Sequence, residues 1–407
     1  MNHEDKIESK MLSGCNFINN VFVEPISGKV YERTNPVDGS QICDNFNENK
    51  GRVQIHVHKM PKWQSKLLQM LLNIGLELHT TDVLMWFAYE TKRVHGQFLS
   101  VRGKKKMLVN HKPHGYNSPM CILIRSLGAI LGAGCTVVVK PATQTPLTAI
   151  KLAMLCKEVG FPPGVINVVT AGESYTPSIG SVFCTNPLVR HISFTGSTTV
   201  GKELLAQLAS TVKRCTMEMS GNSPAIVFKT ADISKCIDKL IASKIFNNGQ
   251  CCIAPNRIYV QGEIHDEFIR VLIEKISAVK PGNPMDKSTN LSCLVDQKRF
   301  DRVHKIVELA QKQGAQLVYQ GEKIPECGPY YFPPTVLTGC QTSMDISQIE
   351  IFGPVFAIYK YAIHLKRFEH ETEVFEEVNK GTSGLGCKSI NKQPMFTAKI
   401  LIKSLGQ

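Results

Sequence analysis

The chain has 407 residues, 43% of them hydrophobic and 20% charged, and a formal net charge of +13. That length accommodates two or three domains with substantial cores, and that balance excludes an intrinsically disordered chain. The positive charge would suit an acidic partner, but its sharpest cluster, Arg102-Gly103-Lys104-Lys105-Lys106, has no aromatic platform or recognition motif beside it, so a solvated segment is expected and nucleic acid is not.

Fourteen cysteines are scattered without metal-ligand spacing, and the vicinal pair Cys251-Cys252 is the only close one. No metal site or disulfide framework is expected, and a reducing, cytoplasmic setting fits. The opening residues include Glu4 and Asp5 with no apolar stretch after them, which argues against a presequence. The most apolar segment, 119–139, contains Arg125 and the breakers Pro119, Gly128, Gly132 and Gly134. It reads as a helix followed by a buried strand, so no membrane partner is expected.

In chain order, residues 53–58 alternate as a strand with His56 and His58 on one face, a solvent-facing strand in preference to a metal pair. Residues 135–139 form a buried β-branched run, and a helix over 148–159 is closed by Gly160 and Pro162-Pro163. Strands follow at 165–169 and 191–194 with a helix between them, then a helix over 199–209. A second unit repeats the scheme, with strands at 225–228 and 257–260 and helices over 233–246, 265–278 and 297–313. The alternation is that of a doubly wound parallel sheet, with a domain boundary near 220–224.

Four segments carry chemistry: Phe194-Thr195-Gly196-Ser197 leading to Gly201, Met217-Glu218-Met219-Ser220-Gly221, Phe246-Asn247-Asn248-Gly249-Gln250-Cys251-Cys252, and Glu350-Ile351-Phe352-Gly353-Pro354. A free cysteine is ordinarily a small buried hydrophobe. In this order and at these separations, however, the four segments resemble the aldehyde dehydrogenase superfamily, over residues 110–360. The resemblance implies an α/β fold with two doubly wound parallel-sheet domains and a partial oligomerisation arm. The nucleotide-binding domain would span 1–221, with the arm at 99–110, and the catalytic domain 222–407; residues 16–29 resemble the family's opening hairpin.

The implied reaction is NAD(P)-dependent oxidation of a small-molecule aldehyde to the acid through a cysteine thiohemiacetal and thioester. Cys252 would be the nucleophile, with Cys251 beside it at the substrate pocket, either packing there or trapping Cys252 as a reversible disulfide under oxidation. Asn117 and the backbone N–H of Cys252 would hold the oxyanion, a role that suits an amide because it donates without titrating. Glu218 reads either as an exposed strand-end glutamate or as a carboxylate in apolar surroundings that activates the hydrolytic water. Lys140 would reach the adenosine ribose, Gly196 and Ser197 would open the helix that receives the pyrophosphate, Glu350 would hold the nicotinamide ribose, and Phe352 would lie against the ring. Thr143 stands where NAD-preferring members carry an acid, so NADP is tolerated beside NAD.

The run 184–198 most resembles succinate-semialdehyde dehydrogenases. Yet Phe246 occupies the position, six residues before the nucleophile, where those enzymes place an arginine for the substrate carboxylate, which makes a general aldehyde pocket plausible. Two departures from the family pattern are expected to matter. Lys112-Pro113-His114-Gly115 runs into Tyr116-Asn117 with no room for the strand that opens the nucleotide-binding sheet, and the chain stops at Gln407 before the final loop and the oligomerisation strand. A homo-oligomer would be weakened accordingly, and a degenerate member that keeps site residues without turnover is the alternative reading.

Overall fold

The computed structural model describes residues 16–23, 29–38, 41–48, 106–111, 119–361, 374, 378 and 388–390. The histidine pair at 56 and 58, Asn117 and most of the expected arm lie outside them. The chain divides into two compact units, Met1–Thr34 with Gln41–Met219, and Asn35–Ser40 with Ser220–Gln407.

In the first unit, β1 (Asn16–Ile18) and β2 (Val21–Val23) form a hairpin, and β3 (Lys29–Thr34) pairs antiparallel with β4 (Gln41–Glu48) in a separate ribbon. There follow β5 (Lys106–His111), α1 (Pro119–Gly132), β6 (Thr136–Lys140), α2 (Pro146–Glu158), β7 (Ile166–Val168), α3 (Thr176–Thr185), β8 (His191–Gly196), α4 (Thr198–Leu208) and β9 (Arg214–Met219). The seven-stranded sheet runs β2-β1-β7-β6-β5-β8-β9, parallel from β7 to β9. β6 and β7 are buried along their whole length. Val137 and Val139 of β6 pack with Leu127, Ile130, Ile150 and Ala153 of α1 and α2, whereas Val138 packs with Ile179, Phe183, Leu204 and Leu208 of α3 and α4. That is why the run reads as continuously apolar rather than alternating.

β5 corrects the expected gap. Residues 106–111 pair with β6 on one side and β8 on the other, Val109 standing opposite both Val139 and Ser193, so the sheet has its opening strand. The segment assigned to an oligomerisation arm therefore ends in a central strand. Its short apolar run, Met107-Leu108-Val109, directly follows the basic cluster, and charge next to a run of three disguises a central parallel strand.

The second unit contains β10 (Pro224–Val227), α5 (Ile233–Ile245), β11 (Arg257–Gln261), α6 (His265–Ile276), α7 (Gln297–Lys312), β12 (Gln316–Gln320), β13 (Thr335–Thr338), β14 (Val355–Tyr361) and β15 (Lys388–Ile390). Its sheet order is β12-β13-β14-β11-β10-β15, with only β12 antiparallel. Ile258 and Val260 face Leu240, Phe268 and Leu272 of α5 and α6, while Tyr259 faces Val303 and Val307 of α7. Among the described residues no helix is long and apolar enough to cross a membrane.

The placement of β5 makes a testable demand. Proline in a strand paired on both sides removes a ladder hydrogen bond and is tolerated only at edges. Val109→Pro is expected to destabilise the protein by more than about 2 kcal/mol in urea unfolding, whereas proline in a solvated arm would leave the midpoint unchanged.

Candidate functional site

In the second unit three loops enter neighbouring parallel strands from the same end. Residues 220–223 precede β10, 249–256 precede β11 and 350–354 precede β14. The middle loop begins where α5 stops at Phe246. Asn247, Asn248 and Gly249 then take φ of 49°, 56° and 75°. Asparagine tolerates this left-handed region better than other side chains, and glycine adopts it freely. Gly249 is also required by space, because a Cβ there would collide with the Gly353 carbonyl.

Side chains hold the loop in this unusual path. Asn248 donates from Nδ2 to the Cys293 carbonyl and accepts at Oδ1 from the Ser292 N–H, both at 2.7 Å. Gln250 Oε1 accepts from the Val295 N–H at 3.2 Å, and Ser223 Oγ donates to the Cys252 carbonyl at 3.3 Å. The loop 347–351 is fixed from the other side. Asn256 Nδ2 donates to Asn222 Oδ1 at 2.6 Å and to the Ile349 carbonyl at 3.1 Å, its Oδ1 accepts from the Ile351 N–H at 3.1 Å, and Asn222 Nδ2 donates to the Ser347 carbonyl. Both asparagines are 2% exposed. A buried amide stripped of such partners costs about 1–3 kcal/mol, so the network holds its geometry.

Within this frame Cys251, Cys252, Glu350, Lys244 and Arg302 form one electrostatic cluster. Cys251 and Cys252 are half-buried. The Cys252 thiol is held well above its usual range, first by its hydrogen bond with Cys251, then by burial and by the charges of Cys251 and Glu350. Burial pushes the Glu350 carboxyl up to about 7, opposed by the Ser220 hydroxyl, the Arg302 guanidinium, the Gly221 N–H and Lys244. Lys244 is pushed down to about 7 by burial, with Glu350 and Cys251 pulling it back. Arg302 is lowered by burial and by Arg299, and its Nη2 donates to the Glu350 carbonyl at 2.9 Å. Glu350 Oε1 is buried with no hydrogen-bond partner among the described residues. Phe352, 2% exposed, takes φ of 60° and lies 6.0 Å from the Arg299 guanidinium carbon. Phe246 is 58% exposed at the end of α5.

In the first unit the remaining candidates gather at the carboxyl ends of the strands. The chain leaves β5 for β6 on one side and later returns to β8 on the other, which makes the β5 end a topological switch point. Lys140 closes β6, fully buried, with Nζ donating to the Pro141 carbonyl at 2.7 Å. Thr143 is buried and donates to the Ala171 carbonyl at 3.1 Å. Gly196 closes β8, and Ser197 caps α4, its side chain accepting from the Val200 N–H at 3.4 Å. α4 lies close to β9, since a Cβ at Gly201 would meet the Met219 side chain. Glu218, near the end of β9, is exposed, which corrects the expected apolar surroundings: β9 is the edge strand and only β8 covers its flank.

The structure thus brings Cys251, Cys252, Glu350 and Phe352 onto adjoining loops of one unit, and Lys140, Thr143, Gly196, Ser197 and Glu218 onto the strand ends of the other. Lys244 and Arg302 were missed in the sequence. A signal existed for Lys244, which continues the stripe Ile237, Leu240 of α5 at helical spacing, a position where a charge is out of place.

Comparisons with known proteins agree with this fold. The Aldehyde dehydrogenase family profile matches residues 74–394. A succinate-semialdehyde dehydrogenase [NADP(+)] of Schizosaccharomyces pombe is 38% identical over 76% of this chain, which spans 62% of that relative's length, less than two thirds. The succinate-semialdehyde dehydrogenase [NADP(+)] GabD of Escherichia coli is 31% identical over 91% of this chain and 83% of its own. The crystal structure of succinate-semialdehyde dehydrogenase from Burkholderia pseudomallei superposes with a TM-score of 0.84 at 28% identity, covering 96% of this chain and 88% of that one. With the doubly wound sheets, the cysteine loop and a family match over most of its length, this chain belongs to the aldehyde dehydrogenase family.

Proposed function

We propose that the protein oxidises an aldehyde to its carboxylic acid with NAD or NADP, using Cys252 as the nucleophile. The observation that carries this reading is the cluster in which the Cys251-Cys252 loop is fixed beside Glu350 at one end of a parallel sheet. In this reading the Cys252 thiolate adds to the aldehyde carbon, and the negative oxygen formed is held by Asn117 and the Cys252 N–H. Bound nicotinamide supplies the hydride acceptor for that carbon. Glu218 then takes a proton from the water that cleaves the thioester, and Cys252 leaves as the thiolate.

The residues present fit such a cofactor. The orphaned Glu350 Oε1 is an acceptor suited to a ribose hydroxyl, and the N–H groups opening α4 suit a pyrophosphate. Lys140 would face the adenosine ribose. Thr143 brings no carboxylate to repel a 2′-phosphate, and two relatives carry NADP(+) in their names. Those names also favour succinate semialdehyde as substrate, whereas the apolar, exposed Phe246 favours aldehydes without a distal carboxylate. The missing strand that motivated a degenerate reading is replaced by β5, which favours turnover. A cytoplasmic setting, with any homo-oligomer weakened, completes the proposal.

Production of reduced nicotinamide from aldehyde by the purified chain is the direct test. Cys252→Ala is expected to lower kcat by roughly 10⁴-fold or more while nucleotide binding, measured by calorimetry, is unchanged. Binding without turnover in the parent chain would sink the reading.

The hydrogen bond with Cys251 is the largest influence holding the Cys252 thiol protonated, so Cys251→Ala is expected to shift the pH profile of Cys252 alkylation by iodoacetamide toward lower pH. An unmoved profile would remove Cys251 from that role. Phe246→Arg is expected to raise kcat/KM for succinate semialdehyde by roughly 10–100-fold over that for an uncharged aldehyde of similar length, the worth of one charged hydrogen bond.

A further inference from the structure

Arg257 opens β11 between β10 and β14, is 2% exposed, and has no carboxylate partner among the described residues. Its guanidinium donates to neutral acceptors instead. Nε and Nη2 donate together to the Asn222 carbonyl at 3.3 and 3.1 Å, and Nη2 also donates to the Val378 carbonyl at 3.2 Å. Nη1 donates to the Tyr259 hydroxyl at 3.3 Å, with the guanidinium carbon 5.9 Å from that ring's centroid. A buried cation without a counter-ion loses its hydration for little electrostatic return, so an apolar side chain would fill the site at lower cost. What arginine alone supplies is a rigid planar fork, which closes two N–H groups on one oxygen and still reaches two other acceptors.

The oxygen that the fork grips belongs to the peptide between Asn222 and Ser223, and both candidate loops are tied to those two residues. The Asn222 side chain accepts from Asn256 Nδ2 at 2.6 Å and donates to the Ser347 carbonyl, which fixes the approach to Glu350. Ser223 Oγ donates to the Cys252 carbonyl at 3.3 Å, and the Ser223 carbonyl accepts from the N–H groups of Asn256 and Arg257 at 2.8 and 3.3 Å. A peptide is planar, so rotation of this one unit would displace both attachments together. We infer that Arg257 is a positioning residue for the candidate site, locking the 222–223 peptide from which the Cys252 loop and the Glu350 loop are both held. The inference rests on the reading of Cys252 as nucleophile and Glu350 as nucleotide ligand. The hydrogen bonds of the Arg257 side chain reach neither of them, and it acts through Asn222 and Ser223.

The test uses the full chain, with two readouts taken well below the melting temperature: the rate of Cys252 alkylation by iodoacetamide, followed by mass spectrometry, and the equilibrium affinity for NADP. In Arg257→Lys the ammonium keeps the charge but reaches one acceptor at a time, so the chain is expected to fold with the peptide released. Cys252, half-buried in the parent, should then be alkylated at least about threefold faster, and NADP should bind about fivefold more weakly. Arg257→Gln should have an equal or larger effect on both. Ser223→Ala cuts the tie to Cys252, so adding Arg257→Lys there should leave alkylation unchanged while still weakening NADP binding. Asn222→Ala cuts the ties to the Glu350 loop, so the same addition should leave NADP affinity unchanged while still accelerating alkylation. A merely structural arginine would lower the melting temperature and leave both readouts at the parent values, which overturns the inference. Movement of one readout without the other, or effects of undiminished size in the two backgrounds, overturns it as well. Alkylation requires neither nucleotide nor turnover, so this arm decides the matter even for a chain that fails to oxidise aldehydes.

Discussion

The contact between Gly249 and the Gly353 carbonyl is the constraint on which the candidate site depends. Two loops that enter separate strands can share a charge cluster only if their backbones touch, and a Cβ at Gly249 would hold them apart. The left-handed path of Asn247, Asn248 and Gly249 then turns the chain so that both cysteines follow directly. The asparagine pair 222 and 256 performs the corresponding task for the loop 347–351, tying it to the entrances of β10 and β11 by buried amide bonds. These are polar groups spent on geometry, in a region where an apolar core would have been simpler to pack.

Strain and buried charge collect at the same place. Phe352 holds a positive φ that its side chain disfavours, immediately before the Gly353 contact. Glu350, Lys244 and Arg302 are each displaced by burial from their ordinary ionisation, and the Cys252 thiol is displaced by its neighbour more than by burial. Such a concentration of opposing charge shifts is characteristic of sites poised for proton movement near neutrality. The rest of this unit is conventional by comparison, the central strands of its sheet covered on both faces by aliphatic and aromatic side chains.

The first unit obeys a different geometric rule. Its candidates lie at carboxyl ends of parallel strands, on either side of the point where the strand order reverses, while those of the second unit lie at amino ends. The former is the usual location of ligands in open parallel sheets, and the reversal of strand order exists only because β5 occupies the centre of the sheet.

The alternation of β-branched runs with helical periods was enough to place β6, β7, β8, β10 and β11, because buried parallel strands leave a largely unbroken apolar signature. The four motifs and their separations were enough to place the family and most candidate residues. β5 was not legible, since three apolar residues beside a basic cluster carry too little periodicity to distinguish a central strand from a solvated arm. Glu218 was expected among apolar neighbours because its sequence neighbours are methionines, but strand neighbours point to opposite faces and the edge position leaves it exposed. Lys244, Arg302 and the Asn222–Asn256 network were decided by the tertiary structure alone: their partners lie tens of residues away in the chain, and burial, which sets their charge, is a property of the packed unit rather than of any segment.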